Sequence, residues 1–488
     1  MVRFALALAL LAAPLPVFAQ TDPVLRQQVD AVLAQAPAGT RFGVLVLDEN
    51  GQEVIALNPD QRFIPASNTK LFTTAAALEV LGKDPAASET RAFTLLALVK
   101  TGKGAPDVRI TGGGVPLSTA ADCTKRCLGG LVTGIAAKAR KVGNIVADDT
   151  AFTDQRWSPG MSWNNIPTDS GTAASALVID DNELPLVVTP GLAGQPAAIA
   201  VSPYFTVINE TRTVEAGETK LGFTRAVNGR DLRIHGTIAV GAAPWRDLLG
   251  IDDPAEYAGW AGREALLARG VKVGGKVIVR HRPVGGGALA LAEGKAGSFA
   301  LGVTPPPLDE EVGVVNKRSQ NLRAEVLLRR IGLAAPAEDI LAVSAGTDGT
   351  LEAGLSVLHT VLEGAGVPRA GYDFSDGSGM STYNRVSPRA AVTLLRWARE
   401  RSWYASWRAS LPIGGIDGTL RRRFVGTPLQ GKVWAKTGTL NATNALSGYL
   451  QAASGRELTF SVFANDVPDG ANAVPVLDAL LGAIAAAN

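Results

Sequence analysis

The chain has 488 residues, a length that predicts two or three domains rather than one. Apolar residues make up 46% and aromatic residues only 6%, so the chain is not disordered and its core consists mainly of alanine, valine and leucine. Its 47 basic and 45 acidic residues leave a net charge of +2, which does not fit the concentrated basic faces of nucleic-acid-binding proteins.

The first 19 residues have the pattern of an export signal. Arg3 supplies the positive start, residues 4–13 are apolar, and residues 17–19 form a small-residue cleavage pattern. A membrane span needs about 20 apolar residues, and Pro14 interrupts this stretch first. We predict cleavage after Ala19 and a mature protein in the periplasm, with at most peripheral membrane association.

The next two elements are a hairpin and a helix. Alternating apolar runs over 41–57 flank Asn50-Gly51, a dipeptide preferred in two-residue hairpin turns. The stretch from Lys70 to Gly82 has leucines and alanines along one face, which predicts a helix.

From about residue 90 to 300, short apolar runs alternate with glycine-rich turns, a texture typical of small β-rich modules. Helices are predicted there over 131–141 and in a segment ending at Gly270. Cys123 and Cys127 are the only cysteines, and in an exported chain they favour a local disulfide over two free thiols. Structural zinc sites take four Cys or His ligands, so neither a metal nor another cofactor is expected.

After the prolines at 305–307, predicted helices cover 321–332, 351–364 and 388–400. Three strand-like runs and a terminal helix follow. Two early and three late strands could complete one antiparallel sheet covered by helices from both chain halves, with the middle as an insertion. The predicted fold class is therefore α+β.

The sequence PASNTK places Ser67 and Lys70 three residues apart at a helix start, where they share one face. A serine hydroxyl needs a nearby base to become a nucleophile, and a lysine can be that base if its pKa is lowered. Alone the pattern is weak, because a chain this long contains about two S-x-x-K matches by chance. The three histidines lie in segments without a nucleophile signature and are interpreted as structural or solvated.

A second element, S-x-N, occurs twice, and so does Lys-Thr-Gly. Ser162–Asn164 lies in the insertion, whereas Ser319 and Asn321 precede a helix of the late half and are favoured, although Ser319 could also be a helix cap. Residues 100–102 are interpreted as a solvated loop. Lys436 lies within a strand-like run, which favours a functional role there.

Along that run, residues with hydroxyl groups follow the lysine. Alternation places Thr437 and Thr439 on one side of the strand, where with Lys436 they could hold a carboxylate. Gly438 would let a substrate backbone approach closely. S-x-x-K with S-x-N and K-T-G elements is typical of penicillin-binding proteins and class A β-lactamases.

With these three elements in order, the chain resembles the class C low-molecular-mass penicillin-binding proteins. These are D-alanyl-D-alanine carboxypeptidases/endopeptidases of the penicillin-binding protein 4 type, peptidase family S13. The resemblance covers nearly the whole mature chain, through the blocks PASNTKLFTTAAAL, ITGGG, IVADDTAF, DPAEYAGWAGREALLARG, VNKRSQNLRAE, DGSGMSTYN, LPIGGIDGTLRRRF and WAKTGTL.

The resemblance implies a transpeptidase/β-lactamase-like domain over 20–90 and 300–488, interrupted by two β-rich inserted domains. The first would cover 91–180 and 260–299, and the nested one 181–259. The implied activity is penicillin-sensitive hydrolysis of peptidoglycan peptides ending in D-Ala-D-Ala, or of their cross-links.

The resemblance also implies a role for each motif residue. Ser67 would form the acyl-enzyme with Lys70 as base, and Lys436 would lower the pKa of Lys70. Ser319 would relay a proton to the leaving amine, and Asn321 would hold the acyl side chain. Backbone N–H groups of Ser67 and Thr439 would stabilise the oxyanion, and β-lactams would acylate the same serine.

Two departures from the family pattern and one match concern the peptide's third residue. Thr382 stands where the family often has an arginine, and Arg385 follows three residues later. Asn441 replaces a frequent glutamine. Asp148, or its neighbour Asp149, matches an acidic residue near the pocket mouth.

Two alternative functions stay open on the sequence. One is a serine β-lactamase or related hydrolase with the same motifs, although no water-activating glutamate can be placed near Ser67. The other is a wall-binding protein that has lost activity, although all expected catalytic residues are present. The motifs do not separate carboxypeptidase from endopeptidase activity, because both use the same groups.

Overall fold

The computed structural model describes residues 22–83, 92–100, 104–285, 299–334 and 349–488. The predicted export signal and the Thr101-Gly102 pair lie outside these ranges. Within them, no helix combines the length and apolar character needed to cross a membrane. In chain order, helices α1–α10 are Pro23–Leu33, Thr69–Leu81, Leu128–Lys138, Pro254–Ala268, Leu308–Lys317, Asn321–Ala334, Leu351–Gly364, Pro388–Ala398, Tyr404–Ser410 and Val474–Ala487.

The strands follow the same numbering principle. In chain order, β1–β22 are Arg41–Leu47, Glu53–Leu57, Thr94–Val99, Asp107–Gly112, Pro116–Leu117, Lys141–Val142, Ile145–Thr153, Val178–Ile179, Glu183–Thr189, Ala198–Ala200, Thr206–Val214, Lys220–Thr224, Asp231–Ala239, Trp245–Gly250, Lys272–Val273, Val277–Arg282, Ala300–Val303, Tyr372–Asp373, Arg385–Val386, Val433–Leu440, Thr443–Gln451 and Glu457–Asn465.

The main sheet has five antiparallel strands in the order β2-β1-β22-β21-β20. Two strands come from the start of the chain and three from its end, as predicted. Pairs such as Val44 with Val462 join these distant segments. β20 is an edge strand, so one of its sides is not paired with another of the described strands.

Helices cover both faces of the main sheet. On one face, Phe72 of α2, Leu327 of α6 and Leu394 of α8 share a core with Phe463. On the other, α1 and α10 pack against Val462 and its neighbours. The first eight residues of β21 are all buried because both faces of this central strand are covered.

The middle of the chain forms separate β-rich units, as predicted. A mixed five-stranded sheet has the order β16-β7-β4-β3-β17, and α3 and α4 pack on it around Ile110, Ile145 and Leu266. Nested between β8 and α4 are two three-stranded sheets, β10-β9-β14 and β11-β13-β12. The predicted boundary at residue 260 falls inside α4.

Most predicted elements agree with the structure, with identifiable exceptions. The hairpin turn spans five residues rather than two, because the Asp48 side chain accepts hydrogen bonds from the N–H groups of Asn50 and Gln52. The helix predicted over 131–141 ends at Lys138, since Lys141 begins β6 and pairs with β15. Helices α1, α5 and α9 were missed.

Candidate active site

Ser67 lies at the start of α2, within the 3-10 turn Ala66–Asn68. Ala66 has a φ of 47°, in the left-handed region that few non-glycine residues adopt. The turn presents the Ser67 hydroxyl to the side chain of Lys70, whose Nζ donates a hydrogen bond to Ser67 Oγ at 2.8 Å. The structure therefore pairs a hydroxyl with an amine that can serve as its base.

Lys70 is fully buried, and its Nζ also donates to Asn321 Oδ1 at 2.7 Å and to the Ser378 carbonyl oxygen at 2.6 Å. Burial disfavours the charged form and lowers the pKa of Lys70 to about 7. The carboxylates of Asp376 and Glu325 act in the opposite direction. A lysine with this pKa is partly neutral at physiological pH and can then accept a proton.

Ser319 lies beside the second lysine of the cluster. Lys436 Nζ donates a hydrogen bond to Ser319 Oγ at 2.8 Å, across 117 positions of the chain. Ser319 does not cap the helix α6. Instead Gln320 Oε1 accepts the bond from the backbone N–H of Arg323. The Ser319 hydroxyl thus belongs to the cluster of buried lysines.

Lys436 is also fully buried, and burial lowers its pKa well below the usual value, with repulsion from Lys70 as a smaller cause. The resemblance implied that Lys436 lowers the pKa of Lys70. The main cause of the lowered pKa of Lys70 is instead its burial. Binding of an anionic group in this cleft would compensate the charge of the two buried lysines.

The strand β20 also carries the two threonines that follow Lys436. Thr439 is exposed, and Thr437 Oγ1 lies 2.7 Å from Thr419 Oγ1. Asn68 Nδ2 donates to the Lys436 carbonyl at 3.0 Å, which fixes the strand to the turn that carries Ser67. The site therefore brings the edge strand and its buried lysine next to the turn that carries Ser67.

Two glycines hold the turn that carries Ser67. A Cβ on Gly438 would lie 2.5 Å from the Pro65 carbonyl oxygen, so this glycine is needed for packing on the turn. The close substrate approach predicted from the sequence stays a prediction. Gly379, with a φ of 88°, faces the Ala66 carbonyl from the other side and leaves no space for a Cβ.

The loop after β18 supplies the Ser378 carbonyl, and Asp376 organises this loop. Its carboxylate accepts hydrogen bonds from the backbone N–H groups of Gly379 and Ser381, at 2.8 and 2.6 Å, and from Asn384 Nδ2 at 2.5 Å. Burial raises the pKa of Asp376 to about 6. The sequence analysis did not identify the contact between the Ser378 carbonyl and Lys70. An Asp among glycines and serines is nevertheless typical of a loop in which a carboxylate binds backbone N–H groups.

Two predicted substrate-binding residues are not brought into contact with Ser67. Asp148 is buried in the inserted sheet and forms an ion pair with Arg280 at 3.0 Å. Its neighbour Asp149 forms one with His281 at 3.0 Å, which raises the pKa of His281 to about 10. Arg385 donates instead to nearby backbone carbonyls. Their role at the third peptide residue stays a prediction.

The alternative motif copies lie elsewhere. Ser162 is exposed in a loop of the insertion, and Lys100 is exposed where β3 ends. Cys123 and Cys127 are joined by a disulfide just before α3. Among the described residues, no group of three His, Cys, Asp or Glu side chains could hold a metal ion.

Comparison with known proteins identifies the family of this chain. The model of the D-Ala-D-Ala carboxypeptidase 3 (S13) family matches residues 25–484. A D-alanyl-D-alanine carboxypeptidase from an Actinomadura species is 34% identical over 460 residues, which cover 90% of this chain and 81% of that protein.

Solved structures support the fold. The crystal structure of penicillin binding protein 4 from Haemophilus influenzae has a TM-score of 0.75 at 22% identity, covering 93% of this chain and 97% of its own. A complex of that protein with a β-lactam has a TM-score of 0.69 over the same shares of both chains. The resemblance inferred from the motifs is confirmed: this chain belongs to the D-Ala-D-Ala carboxypeptidase 3 (S13) family of hydrolases.

Proposed function

We propose that this chain hydrolyses peptidoglycan stem peptides ending in D-alanyl-D-alanine, and D-amino-acid cross-links, through an acyl-enzyme on Ser67. The observation that carries the proposal is the hydrogen bond of 2.8 Å between Ser67 Oγ and the buried Lys70 Nζ. A buried amine with a pKa of about 7 next to a hydroxyl is the arrangement that activates a serine nucleophile.

In the first step, Ser67 Oγ attacks the carbonyl carbon between the last two D-alanines while its proton passes to neutral Lys70. The peptide C–N bond then breaks, and the leaving amine takes a proton from Ser319, which lies against Lys436. Free D-alanine departs, and an ester on Ser67 remains. The proton that Lys70 took from Ser67 passes to Ser319, so that Lys70 is neutral again. Water then attacks this ester, Lys70 accepts the water proton, and that proton returns to Ser67 Oγ as the shortened peptide leaves.

Recognition of the terminal carboxylate falls to Lys436, with Thr437 and Thr439 beside it. Lys436 is buried with its pKa lowered, so a bound carboxylate stabilises its charged form. β20 is the edge strand of the main sheet, and residues 412–414 bond to the outer side of its start over Val433–Ala435. The outer side from Lys436 onward suits an extended peptide that adds as a further strand. Backbone N–H groups of Ser67 and Thr439 would bind the oxyanion, each worth about 3 kcal/mol.

Several finer features belong to the same proposal. We infer a catalytic domain over 20–90 and 300–488, with the middle of the chain inserted, supported by its separate sheets. The mature protein would act in the periplasm after removal of residues 1–19, with at most peripheral membrane association. β-Lactams would acylate Ser67, and Asp148 and Arg385 would take part at the third peptide residue.

The deciding experiment is mass spectrometry of purified muropeptides after incubation with the protein. Loss of one alanine from a pentapeptide monomer is expected, and splitting of a cross-linked dimer would show endopeptidase activity as well. Penicillin should leave a long-lived adduct on the peptide that contains Ser67. No change in either muropeptide, or rapid catalytic destruction of penicillin, would contradict the proposal.

The pH dependence of acylation follows from the state of Lys70. Below its pKa of about 7 the lysine is protonated and cannot accept the Ser67 proton. The acylation rate should therefore rise about tenfold per pH unit on the acid side and level off above pH 7. Stopped-flow measurement of penicillin acylation over pH checks this, and a rate independent of pH through 7 would contradict the role of Lys70.

A further inference from the structure

Glu325 is a mostly buried carboxylate on α6, one helical turn beyond Asn321. Its Oε1 accepts hydrogen bonds from the backbone N–H groups of Gly377 and Ser378, at 3.0 and 2.9 Å. The carbonyl of the same Ser378 accepts the hydrogen bond from Lys70 Nζ at 2.6 Å. A single residue of the loop therefore connects the Glu325 carboxylate to the amine beside Ser67.

The other carboxylate oxygen of Glu325 is tied to the inserted region. Arg329, one further turn along α6, donates to Glu325 Oε2 at 3.0 Å, and its other amino group donates to the Gln155 carbonyl at 2.9 Å. The Arg329 side chain is only 1% exposed. Ser158 Oγ lies 3.5 Å from the same Oε2. One face of α6 thus links Lys70 to the segment that follows β7.

We propose that Glu325 is a positioning residue for Lys70, which holds the Ser378 carbonyl against Nζ and places a negative charge close to the lysine. This inference rests on the function proposed for Lys70 above. It assigns two separable effects to one side chain. The hydrogen bonds to the loop align Nζ with Ser67 Oγ, and the charge favours the protonated lysine.

The charges around the two groups decide the sign of the electrostatic effect. Lys70 is faced by Lys436 from β20, by Asp376 from the loop after β18 and by Glu325 from α6. Glu325 itself is faced by Arg329 and Asp376, and Arg156 lines the same small cavity. Because Glu325 raises the pKa of Lys70 against the effect of burial, removal of its charge lowers that pKa further.

The test is the Glu325→Gln variant, whose amide oxygen can still accept from the two loop N–H groups. In the pH profile of penicillin acylation, we call the rise of the rate on the acid side the acid limb. We expect this acid limb to move to lower pH by about one unit. The plateau should fall less than tenfold, because the alignment of Nζ is largely kept. In Glu325→Ala, which lacks both the charge and the acceptor, the plateau should fall by about 100-fold, the cost of a misplacement near 1 Å.

A matched control is Glu311→Gln. Glu311 forms an equally buried ion pair with Arg330, the residue of α6 next to Arg329, but its carboxylate does not contact the loop over 376–381. This variant should lose stability and leave the acid limb where it is. Glu325→Gln/Arg329→Gln removes both members of the ion pair, so it avoids a stranded buried charge if the single variant fails to fold.

Different results would contradict the role of Glu325 and the role of Lys70. An unmoved acid limb in folded Glu325→Gln, or in the double variant, would overturn the role of Glu325 while the native enzyme still shows its limb near pH 7. Absence of that limb from the native enzyme would overturn the role of Lys70 itself. A shift in the Glu311→Gln control equal to that of Glu325→Gln would mean that any lost ion pair of α6 has this effect, and would also overturn the proposal.

Discussion

A Ser67→Ala variant is expected to release no measurable D-alanine and to form no covalent adduct with penicillin. Without Oγ no acyl-enzyme can form, and loss of a serine nucleophile lowers kcat on the order of 10⁶-fold. The carboxylate-binding groups around Lys436 are untouched, so the variant should still bind the peptide. Chromatographic assay of released D-alanine and gel labelling with a fluorescent penicillin measure the two effects.

Ser406→Ala is the matched control for this variant. Ser406 is exposed on α9, and its hydroxyl donates only to the Trp403 carbonyl within the same region. Its replacement should leave both labelling and D-alanine release unchanged. A Ser67→Ala protein that still released D-alanine at the native rate would contradict the assignment of the nucleophile.

A Gly379→Ala variant is expected to lose both stability and activity. The new Cβ would collide with the Ala66 carbonyl group and lie 3.0 Å from the Ser67 nitrogen, and backbone atoms cannot rotate away as side chains can. Overpacking of this kind costs roughly 1–3 kcal/mol, and the left-handed φ adds about 1 kcal/mol of strain. A displacement of Ser67 by about 1 Å would lower the acylation rate about 100-fold.

Gly455→Ala separates strain from collision. Gly455 has a φ of 90°, close to that of Gly379, but a Cβ there meets nothing within 4 Å. Its replacement should lower the free energy of unfolding by about 1 kcal/mol and leave acylation unchanged. Thermal or denaturant unfolding and penicillin acylation compare the two variants. Equal losses of stability in both, with full activity, would contradict the close packing of Gly379 on the Ser67 turn.

Much of the fold could be predicted because local rules decide it. Pro388 begins α8 as a first-turn residue should, and Gly82 follows the last residue of α2. Where local sequence patterns gave a wrong prediction, the cause was a contact with a distant part of the chain. Lys141 leaves the helical pattern of α3 because β6 pairs with β15, and no local pattern encodes that pairing.

The site shows the same division. Asp148 matched the family pattern by position, yet strand register places it opposite Arg280, and the two side chains pair with each other. Glu325 could have been found, since residues four apart share a helix face and Asn321 was already a candidate. Ser378 could not have been assigned its role, because it acts through its backbone carbonyl and any residue type supplies one.

The sequence by itself determined which reactive groups this protein has and the local pairing of Ser67 with Lys70, since helix geometry alone brings residues three apart together. Only the tertiary structure decided that Asn321 and Ser378, 251 and 308 positions beyond Lys70, complete the surroundings of its amine. It also decided the burial that lowers the pKa of Lys70, because the loss of hydration depends on segments that meet only when the chain is folded.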